Sequence, residues 1–168
     1  MSALPDELVL HILSNVPPRT VWETTKIGGS RQLQSCAEDT LLTHTLPETS
    51  LALTFSLSSG SHHRWYDITA TLYFCFSRVD PMDKDRAIFA VDHVTPEHCH
   101  QTALGKWRRL PNEDIKTFGS WRVKVDSSFC SLQLHDLQAR QSVEGEELSV
   151  LWRPVFEQYF ASVNEDPT

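Results

Sequence analysis

The apolar residues of this chain change their spacing once, from a helical repeat before Pro47 to strict alternation after it, and that switch limits the architectures open to it. Before the switch, Leu4, Leu8, Val9, Ile12, Leu13 and Val16 recur at intervals of three and four, which predicts a short amphipathic helix over Leu4–Val16. Pro5 suits its first turn, Asp6 and Glu7 favour its positive end, and Pro17-Pro18 stops it. Residues Arg19 to Lys26, carrying Val21 and Trp22, predict a second short helical turn that ends at Gly28-Gly29. Ser30 is placed to cap a third helix running to about His44, with Leu33, Cys36, Ala37, Thr40, Leu41 and His44 along one stripe.

After the switch, Leu51, Leu53, Phe55 and Leu57 alternate with small and polar residues as a half-buried strand does. Tyr66, Ile68, Ala70, Leu72, Phe74 and Phe76 repeat the pattern, so the two segments are expected to pair as a hairpin across the polar Ser58–Arg64 loop. Arg86–Val94 predicts a third strand. Thr95-Pro96-Glu97 has the order of an N-cap, an N1 proline and a first-turn acid, predicting a helix to about Arg109. Trp121, Val123 and Val125 predict another strand and Phe129–His135 a further one; Glu144–Glu147 reads as a solvated acidic turn. Trp152, Val155, Phe156, Tyr159, Phe160 and Val163 form an aromatic stripe at helical spacing, expected to lie on the chain's own sheet. The predicted class is α+β: a helical module over residues 1–45, then a mainly antiparallel sheet domain over 46–168 with one or two packed helices.

Composition narrows function. The charge is −7, and the densest basic spot, Lys106, Arg108 and Arg109, is too small to suggest nucleic-acid binding. Four dispersed cysteines, Cys36, Cys75, Cys99 and Cys130, predict free thiols in a reducing compartment. The acidic start and the lack of a long apolar run predict a protein of cytosol or nucleus rather than membrane. His98-Cys99-His100 is the most metal-like cluster, but on a helix the two imidazoles would point about 200° apart, so no metal or cofactor is expected. No nucleophile elbow or phosphate loop is present, and a non-enzyme is expected.

The segment Leu4-Pro5-Asp6-Glu7-Leu8-Val9-Leu10-His11-Ile12-Leu13-Ser14-Asn15-Val16-Pro17-Pro18 resembles the opening of an F-box, with Leu4, Pro5, Glu7, Leu8, Ile12, Leu13 and Pro17 in register. After Pro18 the pattern departs: Val21-Trp22-Glu23-Thr24-Thr25 makes a weak second helix, Gly28-Gly29 replaces an apolar step, and Ser30-Arg31-Gln32-Leu33 keeps the character of the third helix. Leu46–Phe76, Thr95–His100 and Trp107 resemble the β-rich portions of fungal F-box proteins. The resemblance implies a three-helix module that docks a Skp-family adaptor of a cullin–RING ubiquitin ligase, while the following domain captures a substrate protein. Leu4, Pro5, Leu8, Val9, Ile12, Leu13, Pro17 and Trp22 would then contact the adaptor through an apolar helix face. His62, His63, Arg64, Trp65 and Tyr66, on the loop between the two clearest strands, are the candidate substrate contacts. A second reading stays open, in which the N-terminal helix is structural and the chain is a free-standing β-rich binding domain.

Overall fold

The computed structural model describes residues 4–27, 30–58 and 68–163. The chain divides into two compact units, Met1–Glu48 and Thr49–Thr168.

In the first unit Pro17-Pro18 both stops one helix and opens the next. Helix α1 spans Asp6–Leu13, and Pro18 is the first residue of α2, Pro18–Lys26, where a missing N–H leaves nothing unsatisfied. Helix α1 ends three residues before the expected Val16. The Ser14 hydroxyl and the Asn15 amide both donate to the His11 carbonyl, at 2.9 and 2.8 Å, and so compete with continued helix. Helix α3, Arg31–Thr40, passes directly into a π turn, Leu41–Thr45, and a 3-10 turn, Leu46–Glu48. The wider π turn brings Thr45 to the inside and leaves His44 exposed, contrary to the single stripe expected from the sequence.

Helices α1 and α2 each pack on α3. The interior holds Leu13, Val21, Trp22, Cys36, Ala37, Thr40 and Leu41. The Ser30 side chain accepts the Leu33 N–H at 3.2 Å, the capping bond the sequence predicts. Ser30→Ala is expected to lower the stability of this unit by about 1 kcal/mol in urea unfolding. A loss too small to resolve would show that this bond does not hold the start of α3.

The second unit is one antiparallel seven-stranded sheet, curled, which with the five helices makes the chain α+β as predicted. Its strands are β1 Ser50–Ser56, β2 Thr69–Val79, β3 Arg86–Thr95, β4 Ser120–Lys124, β5 Phe129–Leu132, β6 Arg140–Gln141 and β7 Glu147–Leu151. The order across the sheet is β5-β4-β1-β2-β3-β7-β6. Strands β1 and β2 pair as the alternation suggested, Leu53 opposite Leu72 and Leu51 opposite Phe74. Residues opposite one another share a face. Leu51, Leu53, Leu72, Phe74, Trp121 and Val123 therefore form one apolar face, all of it buried.

Helix α4, His100–Arg108, lays Trp107 on that face, with ring centroids 5.3 Å from Phe74 and 6.0 Å from Trp121. Helix α5, Trp152–Ser162, runs along β4 and β5 and buries Trp152, Val155, Phe156, Tyr159 and Phe160. Gly145 sits at φ +70° in the β6–β7 turn, where a Cβ would come within 2.7 Å of the Arg108 side chain. Only glycine takes that backbone conformation without strain.

Three expectations change here. Thr95 does not cap a helix: it ends β3 opposite Thr71, and a 3-10 turn, Glu97–Cys99, precedes α4. The strand expected over Phe129–His135 stops at Leu132, because the Gln158 amide takes both the N–H and the C=O of Gln133. The acidic segment at Glu144–Glu147 turns only as far as Glu146, and Glu147 opens β7.

Candidate functional site

Helix α1 is apolar on two sides. One side turns inward: Leu13 is buried and Val9 half-buried. The other carries Leu4 just before the helix, then Leu8 and Ile12, which are 56%, 51% and 55% exposed. Spaced by four, they stand about 6 Å apart in one line. Ile27 and Leu33, at 67% and 36%, add exposed aliphatic surface to the same unit. Single exposed aliphatics are ordinary, but a contiguous row on one helix marks an interaction surface or a binding groove's occupant.

The start of the row is held from α3. The Gln32 amide donates to the Leu4 carbonyl at 2.7 Å and to the Asp6 carboxylate, tying the Leu-Pro segment to the third helix. Asp6 and Glu7 occupy the first turn of α1, and the row has an acidic head. Such a surface offers aliphatic side chains of the kind that helix-in-groove contacts bury.

The structure sorts the sequence candidates. Leu4, Pro5, Leu8, Ile12 and Pro17 are exposed and accessible to a partner. Leu13 and Trp22 are not: at 7% and 6% exposure they belong to the interior of the three-helix unit. The Trp22 ring is further covered by Lys26, its ammonium 5.0 Å from the ring centroid. Two apolar stripes on one short helix look alike in sequence, and only packing shows which is inside. Ile27 was not singled out from the sequence, although an apolar residue at a helix end beside Gly28-Gly29 is commonly exposed, and Leu33, expected on one stripe of the third helix with Cys36 and Ala37, is exposed while those two are buried. His62, His63, Arg64, Trp65 and Tyr66 lie outside the described residues.

Among the described residues, no group of three or more His, Cys, Asp or Glu side chains is arranged to hold a metal ion. Cys99 is buried in the 3-10 turn, His98 exposed, and His100 half-buried at the start of α4. Cys75 on β2 lies beside Asp92, whose carboxylate also bonds His93 Nδ1 at 2.6 Å. The combination of thiol, imidazole and carboxylate does not activate the sulfur. Partial burial, and after it the charge and hydrogen bond of Asp92, push the Cys75 thiol up from its ordinary value. The thiol is the disfavoured partner in thiolate chemistry here, because a neighbouring anion opposes its ionisation. Cys75 is expected to react with iodoacetamide more slowly than free cysteine at neutral pH, and Asp92→Asn to speed the reaction. Equal rates in both proteins would mean that Asp92 does not act on the sulfur.

No helix among the described residues is long and apolar enough to cross a membrane. No protein-family model matches the chain, and neither a curated protein nor a solved structure matches it.

Proposed function

We propose that this chain is a non-catalytic adaptor of cytosol or nucleus, whose first unit docks a Skp-family protein of a cullin–RING ubiquitin ligase and whose β-rich unit recruits a substrate protein. The observation that carries the reading is the exposed Leu4–Leu8–Ile12 row, because it falls on the segment that resembles an F-box opening. The three-helix unit supports it: α1 packs on α3 and turns Leu13 inward, so the outward row is left for a partner. The Gln32 tether supports it further by fixing where the row begins.

The alternative, a free-standing β-rich binding domain with a structural N-terminal helix, draws on the inward side of α1. Leu13 packs inside the first unit as a structural helix requires. It leaves the outward row without a role.

Co-expression of the full chain with a Skp-family adaptor, followed by size-exclusion chromatography, tests the proposal. A stable one-to-one complex is expected. A well-folded chain that elutes alone would overturn adaptor docking and favour the alternative.

A further inference from the structure

The face of the sheet opposite Trp107 carries a row of aromatic and basic side chains. Register places His93, Tyr73, Ala52, Arg122 and Ser131 in one row across β3, β2, β1, β4 and β5, with Lys124 and Phe129 opposite each other in the next. Strands β2 and β5 are three spacings apart, about 14 Å at the backbone. Yet the Tyr73 and Phe129 ring centroids are 6.1 Å apart. The rings therefore lean toward each other over Ala52, whose small side chain makes room and which is fully covered as a result.

The array continues on both sides. The His93 ring stacks on Tyr73 at 4.4 Å, and the Arg122 guanidinium lies 5.4 Å from the Phe129 centroid. Stacking holds these side chains in place before any partner arrives, which lowers the ordering cost of binding.

The charges on this face are not balanced. Glu147 is paired with Arg78 at 2.6 Å, and Asp92 with His93. Among the described residues, Arg122 and Lys124 make no ion pair. Asp92, on β3, is engaged by His93 and lies beside Cys75 on β2. Two unpaired cations beside a preorganised aromatic ridge thus stand on a chain whose formal charge is −7.

We infer that this face docks an acidic, extended segment of a partner protein, its carboxylates on Arg122 and Lys124 and its apolar groups against Phe129 and Tyr73. Arg122 and Lys124 are two residues apart on one strand, about 7 Å, which is the repeat of same-side side chains in an extended chain. The acidic remainder of the molecule repels such a segment everywhere else, so the patch also sets where it lands. The negative overall balance argues against nucleic acid as the occupant. The inference concerns the second unit alone and stands or falls separately from adaptor docking.

The test uses the full chain and a fluorescein-labelled peptide with two glutamates and then two valines at every second position and serine between them, so that all four share one side of the extended chain, with fluorescence anisotropy as the readout. Saturable binding that weakens with added salt is expected, with none to the peptide carrying lysine for glutamate. Arg122→Gln with Lys124→Gln should weaken binding about tenfold, the sum of two half-exposed ion pairs, with unchanged thermal unfolding. Lys124→Gln alone should weaken it less, and serves if the double variant folds poorly. The absence of saturable binding, or equal binding by a folded charge variant, would overturn the inference. So would tighter binding of an oligouridylate than of the acidic peptide.

Discussion

The chain carrying Leu8→Asp and Ile12→Asp is expected to lose adaptor binding by at least about a hundredfold while both units stay folded. Both side chains are already about half exposed, at 51% and 55%, so docking would bury the remaining half of each. That contributes about 1 kcal/mol per residue at the usual coefficient for apolar area. Placing an ionised carboxylate in the same apolar groove adds at least about 1–3 kcal/mol more per site. The intramolecular cost is small by comparison. Aspartate is a poorer helix former by about 0.5 kcal/mol. Near the start of α1 at position 8 its charge is favourable, and near the end at position 12 it is unfavourable, so the dipole effects nearly cancel. Isothermal titration with purified adaptor gives the affinity, and thermal unfolding monitors the fold. Unchanged affinity in a folded variant would remove α1 from the interface. An unfolded first unit would mean instead that Leu8 and Ile12 are core, which the exposed positions do not allow.

Replacing Trp107 with alanine is expected to produce the largest loss of stability of any single change in the second unit. The side chain is fully buried and touches both Phe74 and Trp121 on the packed face of the sheet. Truncating a buried tryptophan costs about 3–5 kcal/mol. The ring also donates its Nε1–H to the Gly145 carbonyl at 2.8 Å, binding α4 to the β6–β7 turn. Stranding that acceptor adds about 1–3 kcal/mol if water does not reach it. Together these approach the whole stability of an ordinary domain, about 5–15 kcal/mol. Trp107→Phe keeps most of the ring contact and loses the hydrogen bond, so a loss of about 1–2 kcal/mol is expected. Urea unfolding monitored by far-ultraviolet circular dichroism measures both. A loss below about 1 kcal/mol for the alanine variant would contradict the packing of α4 on the sheet.

Legibility differed from element to element for identifiable reasons. The hairpin of β1 and β2 could be read because each strand is half-buried, which imposes alternation on Leu51–Phe55 and Ala70–Phe74. Strand β7 is hidden in the sequence, although Leu148 and Val150 alternate with Glu147 and Ser149, because Leu151 and Trp152 then break the pattern. It is five residues long, continues an acidic turn without a break and enters α5 directly, so it lacks the flanking signals that mark a strand. The end of β5 depends on the Gln158 amide, which comes from 25 residues away. No local pattern encodes such a bond. At the candidate docking surface, the F-box-like segment is visible as a motif, but its division into inner Leu13 and outer Leu8 and Ile12 is not. The ridge of His93, Tyr73 and Phe129 leaves no sequence signal at all, since its members come from three strands.

The residues alone determine the kind of element at each place, because burial on one side imposes a period that the backbone geometry of helix or strand sets. The helical first unit, the places of β1 to β5 after Pro47, the Ser30 cap and the class α+β are all of this kind. Neighbours across space are another matter. That β4 pairs with β1, that β7 pairs with β3, and that one apolar stripe of α1 faces outward were decided by tertiary packing. Alternation says which side of a strand is buried but not which strand lies next to it, and an apolar residue carries no mark of whether its partner belongs to the same chain.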